Sequence, residues 1–109
     1  MNSVIAAVPH EVIKRDGHRA SFDAAKIRSA ILRAGQAAKE LGASEFGEAE
    51  ADLLTAQVVK VLIHSSRNAP PNIERIQDVV EQTLIAANHF ATARAYIVYR
   101  EQHKKLRDT

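Results

Sequence analysis

The stretch EVIKRDGHRASFDAAKI, residues 11–27, decides the fold. Asp16-Gly17 is a strong turn signal between two short runs, so residues 11–22 read as a β-hairpin. A two-residue loop sets the register: Arg15 faces His18, Lys14 faces Arg19, Ile13 faces Ala20 and Val12 faces Ser21. Directly opposed residues share a face. Ile13, Ala20 and Phe22 therefore form an apolar side, with Lys14 and Arg19 together on the other. Asp23 follows as an N-cap, its carboxylate able to accept the orphan amides of a helix.

Working outward, Ile27, Ile31, Ala34, Ala38 and Leu41 recur at helical spacing, and Gly42 is a natural stop. Residues 43–49 read as an acidic loop. A second helix over residues 50–66 presents Leu54, Val58, Val61 and Leu62. Pro70-Pro71 keeps residues 68–72 out of any helix interior. A third helix over residues 74–87 carries Ile76, Val79, Val80 and Leu84. Asn88-His89 makes a corner, and a fourth helix carries Phe90, Ala93 and Ile97. Tyr96 and Tyr99, one turn apart, either pack with their hydroxyls at the surface or frame an adenine. The fold class is α+β: a small hairpin or three-stranded sheet capping a four-helix bundle, because so small a sheet has no core of its own.

Composition fits one compact unit. The 109 residues are 46% hydrophobic and 26% charged, which is globular rather than disordered. There is no cysteine. That excludes disulfides, thiolate metal sites and cysteine nucleophiles. No apolar run approaches the roughly 20 residues of a bilayer span, and Met1 to Pro9 lacks the basic n-region of a secretory signal. A cytoplasmic protein is the expectation. Residues 1–10 read as an extension, 11–106 as the domain, and 107–109 as an end truncated from a larger protein.

The net charge of +2 hides a segregation. Glu40, Glu45, Glu48, Glu50 and Asp52 are clustered, whereas Arg94, Arg100, Lys104, Lys105 and Arg107 crowd the last sixteen residues. Lys14, Arg15, Arg19, Lys26 and Arg28 form a second basic group. Separate basic patches suit a polyanion, either a nucleotide or a nucleic acid. In the two-residue register Lys14 opposes Arg19, a destabilising like-charge pair. Lys26 sits in the first helical turn, where the macrodipole disfavours a cation. A phosphate beside that helix N-terminus would relieve all three. The competing reading is that the long side chains splay into water at little cost.

Catalytic signals are sparse. The five histidines are scattered without an i, i+4 pair, and no GxxxxGK[ST] or GxGxxG occurs. Ser44 and Ser65-Ser66 have no positioned base. No active site and no protein metal site are expected.

VIKRDGHRASFDAAKI (Val12 to Ile27) resembles the opening motif of the ATP-cone, in which V-x-K-R-D-G is followed a few residues later by F-D-x-x-K-I. NIERIQDVVEQTL (Asn72 to Leu84) and ATARAYIVYREQHKKL (Ala91 to Leu106) are similar to its third and fourth helices, so the resemblance covers residues 11–106. It implies a regulatory domain binding ATP or dATP with Mg²⁺, as at the N-terminus of ribonucleotide reductase catalytic subunits. There the two nucleotides switch the enzyme on and off through subunit assembly. The implied partners are the rest of a parent reductase and its subunits, in an effector-dependent oligomer without membrane or nucleic acid.

By position, the resemblance assigns Lys14 and Lys26 to phosphates with Arg15 and Arg19 beside them, and Asp23 to the base or ribose edge. Val12, Ala20, Ser21 and Phe22 would line the pocket, with Ile27 on the adenine. Ile73, Ile76 and Gln77 would complete its wall. On the fourth helix Gln102 stands where some members place a phosphate-binding lysine, with His103 or Lys104 as substitutes. A zinc-ribbon transcriptional repressor of reductase genes also carries a cone, but its four cysteines are lacking here. A nucleic-acid-binding module using the basic tail is the alternative from another class.

Overall fold

A hairpin of three-residue strands opens the described chain, and four helices follow it. The computed structural model describes residues 9–43, 45–65 and 69–108. Residues 1–8 of the expected extension, Ser44, the expected helix end at Ser66, Asn68 and Thr109 lie outside the described residues. The strands are β1 (Glu11–Ile13) and β2 (Arg19–Ser21), and the helices α1 (Ala24–Glu40), α2 (Glu48–Ser65), α3 (Ile73–Ala86) and α4 (Phe90–Asp108). This is the expected α+β arrangement.

The hairpin register is one residue away from the expected one. Glu11 pairs with Ser21, Val12 with Ala20, and Ile13 with Arg19. The turn explains the shift. A two-residue type I′ loop requires positive φ at both central residues. Gly17 has φ +93°, whereas the only non-glycine with positive φ among the described residues is Asn88. Asp16 therefore stays on the negative side, and three residues, 15–17, connect the strands. Lys14 N donates to His18 O at 2.8 Å and Gly17 N to Lys14 O at 2.9 Å. Asp16 Oδ1 accepts from His18 N at 3.1 Å. This is a type I turn closed by a left-handed glycine.

A slip of one residue exchanges faces. Val12, rather than Ile13, is buried beneath the hairpin, and Ala20 and Phe22 pack beside it against the core. Lys14 does not oppose Arg19, and Arg19 instead bonds Glu11 across the pair at 3.2 Å. On its other edge β1 meets the diproline segment. Ile13 N donates to Pro71 O at 2.9 Å, and a single parallel bridge joins Ile13 to Asn72. The third strand is thus one bridge long.

The helices form a closed ring in which α1 packs on α2, α2 on α3, α3 on α4, and α4 back on α1. Asp23 caps α1 through Ala25 N at 3.0 Å. Asn72 caps α3 through Arg75 N at 2.7 Å, so that helix starts one residue before the expected Glu74. The bundle centre is filled by Ile31, Val58, Leu62, Val79, Val80 and Leu84.

Three apolar assignments are corrected. Leu41 is 88% exposed, because α1 ends beneath it at Glu40. Val61 is exposed beside fully buried Leu62. On α4 the inward stripe runs through Thr92, Ala93 and Tyr96, leaving Phe90 and Ile97 outside. Tyr96 is only 4% exposed, so its ring is core and frames no ligand.

The acidic loop is also more structured than its composition suggests. Phe46 is buried within it and meets the His89 ring edge-on at 5.1 Å. Glu48 and Glu50 belong to the first turn of α2, where the helix dipole favours carboxylates. Glu50 accepts from Gly47 N at 2.9 Å. Glu48 and Asp52 both hold Arg28 of α1, and Glu45 holds Lys39. No helix among the described residues is long and apolar enough to cross a membrane.

Candidate functional site

The hairpin turn, the start of α1 and the start of α3 converge at one end of the bundle. β1 is hydrogen-bonded to the segment entering α3, and β2 leads through Phe22 and Asp23 directly into α1. Arg15, on the turn, reaches across to Glu74 in the first turn of α3. Glu74 also receives Arg100 of α4 at 3.2 Å. One carboxylate thus joins the hairpin to the fourth helix.

Arg100 has further partners in Asp78, at 2.9 Å, and Glu81. Burial alone would lower its pKa, but the hydrogen bonds it donates to Glu81, Asp78 and Glu74 outweigh this and hold the guanidinium firmly charged. Beside the cluster is a cavity of about 360 Å³ whose lining includes Arg15, Glu74, Arg100 and Lys104.

Two buried polar atoms near this end have no hydrogen-bond partner in the described structure: Arg15 Nε and Gln77 Oε1. Buried donors and acceptors are rarely left unpaired, since each costs about 1–3 kcal/mol. Gln77 lies one turn beyond Glu74 on α3. One atom is a donor on a cation and the other a neutral acceptor. The first suits an anionic acceptor and the second a hydrogen-bond donor. Among the described residues Lys14 and Lys26 form no ion pair. Lys26 stands in the first turn of α1, which holds no acidic residue.

The remaining positions divide. Val12, Ile27 and Ile76 are core residues, and Ala20, Phe22 and Ile73 pack against the same cluster. Ser21 is exposed opposite Glu11. Asp23 is engaged as a cap, and Arg19 is occupied by Glu11. Of the three cations, Arg19 is therefore committed to Glu11, and Lys14 and Lys26 remain. His103 is stacked on Tyr99 with ring centroids 4.2 Å apart. Gln102 faces a different space, a groove of about 740 Å³ between α1 and α4 that Arg33, Leu41 and Arg94 also line. Of the fourth-helix candidates, Lys104 shares a cavity with Arg15.

Grouping Arg100 with the basic tail hides the Glu74–Arg100 cluster. Glu74, Asp78 and Glu81 recur at i, i+4 and i+7, which is one helical face. That spacing was the available signal. No group of three or more His, Asp or Glu among the described residues could hold a metal.

The architecture is that of a helical bundle with a hairpin lid, and a family model described as an ATP cone domain matches residues 10–105. The chain belongs to the ATP-cone family. It is 36% identical over 101 residues to the ribonucleoside-diphosphate reductase subunit alpha of Chlamydia muridarum, covering 89% of this chain and 10% of that protein. It is 34% identical over 103 residues to the vitamin B12-dependent ribonucleoside-diphosphate reductase of Thermoplasma acidophilum, covering 90% and 12%. It is likewise 34% identical over 100 residues to the anaerobic ribonucleoside-triphosphate reductase of Salmonella typhimurium, covering 92% and 13%. The chain spans about a tenth of the length of these relatives. The cone accounts for nearly all of its 109 residues, which leaves no catalytic domain within them.

Proposed function

We propose that this domain is an allosteric sensor of ATP and dATP, controlling the overall activity of a cytoplasmic ribonucleotide reductase of which it is a part. The observation that carries the reading is the pair of buried, unpartnered atoms Arg15 Nε and Gln77 Oε1, together with two unpaired lysines, Lys14 in the hairpin and Lys26 in the first turn of α1. An adenine nucleotide supplies what both lack. Its phosphates offer acceptors to Arg15, Lys14 and Lys26. Its exocyclic amine offers a donor to Gln77 Oε1, where guanine presents a carbonyl. A carbonyl there leaves the acceptor unpaired and costs affinity.

Mg²⁺ travels with the triphosphate, bound by phosphate oxygens and water. The output is a shift between assemblies of the parent enzyme. ATP and dATP must bind those assemblies with different affinities, because equal binding shifts nothing. Calorimetry with ATP, dATP, GTP and a short DNA duplex at two salt concentrations tests the reading. Saturable binding of both adenine nucleotides, in preference to GTP, is expected. Silence toward mononucleotides, with duplex affinity falling steeply as salt rises, would replace it with a nucleic-acid-binding module.

A further inference from the structure

Glu74 touches Arg15, one of the cations of the proposed phosphate site, and Arg100 of α4. One of its oxygens meets Arg15 Nη1 and the other Arg100 Nη2. We propose that Glu74 is a built-in surrogate for the ligand phosphate, holding Arg15 while the site is empty and surrendering it when a nucleotide binds. The proposal rests on the nucleotide-sensor reading above and adds the device by which occupancy reaches α4.

The two partners differ in what they stand to lose. The Arg15 side chain is only 20% exposed, and Glu74 is its one acidic partner among the described residues, leaving Nε unserved. A phosphate, with several oxygens in bidentate reach, satisfies that guanidinium better than one carboxylate oxygen does. Arg100 is 14% exposed and keeps Asp78 and Glu81 whatever Glu74 does. Glu74 itself is 48% exposed. It lies in the first turn of α3, where the helix dipole favours its charge. Its release from Arg15 therefore strands no buried carboxylate.

An incoming phosphate also repels Glu74 directly and drives it toward Arg100. The exchange undoes the strap between the hairpin turn and α3 and strengthens the clamp between α3 and α4. Ligand binding at one end of the bundle is thereby read out at Arg100, where the exposed last turns of α4 begin.

Calorimetry of ATP binding to the 109-residue chain and to Glu74→Gln tests the exchange, with Asp78→Asn as the control that removes an equal charge without freeing Arg15. Glu74→Gln should tighten ATP binding by about two- to fivefold, the scale of a partly exposed ion pair. Asp78→Asn should leave it unchanged. Hydrogen exchange of residues 100–106 should slow on ATP addition in the wild type and respond less in Glu74→Gln. ATP binding to the wild type with no tightening in Glu74→Gln, or equal tightening in both variants, overturns the surrogate. A wild type that binds no ATP removes the underlying nucleotide reading instead.

Discussion

Gly35, in the middle of α1, lies flat against the ring of Phe46. A Cβ added to Gly35 would fall 2.1 Å from Phe46 Cδ1 and 2.4 Å from Cγ, inside any permitted contact. The phenyl ring is the plug that covers this part of α1, and the missing side chain is what admits it. Alanine is the better helix former by about 1 kcal/mol, yet overpacking a core typically costs about 1–3 kcal/mol. Gly35→Ala should therefore lower stability, by up to about 2 kcal/mol net, in a urea titration monitored by circular dichroism. Phe46→Ala should cost about 3–5 kcal/mol by emptying the same space.

Lys26 has no acidic partner in the described structure and stands in the first turn of α1. Removing a cation there should leave the fold's stability within about 0.5 kcal/mol of wild type. The same change should weaken ATP binding by about 1–3 kcal/mol if the lysine holds a phosphate. Lys26→Ala measured by calorimetry and by thermal denaturation separates the two effects. An unchanged ATP affinity would remove Lys26 from the site.

Gln77 offers a similar separation with the opposite sign. Its Oε1 is buried without a partner, so Gln77→Met keeps the volume and removes an unsatisfied acceptor. Stability should hold or rise by up to about 1 kcal/mol, while discrimination between ATP and GTP should shrink. Melting temperature and competitive nucleotide binding provide the two readings. A destabilised variant with intact discrimination would mean that Gln77 serves the fold alone.

Glu50 gives a pH prediction. The Gly47 N–H holds its carboxyl below the usual value of 4.5. A group whose pKa is lower when folded contributes stability above its unfolded pKa and loses it as pH falls through the folded one. Glu50→Gln should accordingly flatten the acid limb of the stability curve below pH 4.5. Urea midpoints collected across that range, for both proteins, report the difference in slope.

Much of this was legible from residue order, and the failures have causes. The four helices, the Asp23 cap and the Asn88-His89 corner follow from periodicity and capping chemistry, which are local. The hairpin register did not follow, because Asp-Gly is compatible with both two- and three-residue loops. Packing beneath Val12 chose between them. Phe46 was invisible inside an acidic loop, and only Gly35, an odd residue for a helix centre, hinted at a neighbour. At the site, the family motif pointed to Lys14, Arg15 and Lys26. The carboxylate bridging Arg15 to Arg100 joins residues 59 and 26 positions away from Glu74, a relationship that no local pattern encodes.

Pro71 supplies a carbonyl to β1 and, like Pro70 before it, has no N–H to give to anything on its far side. A short sheet with an open flank is a template on which further copies could stack toward fibrils. Here the flank is closed by chemistry: two consecutive imino acids interrupt the alternating donors that a newcomer strand needs. The diproline flank of one lid therefore offers no template strand to another, even where such lids crowd together.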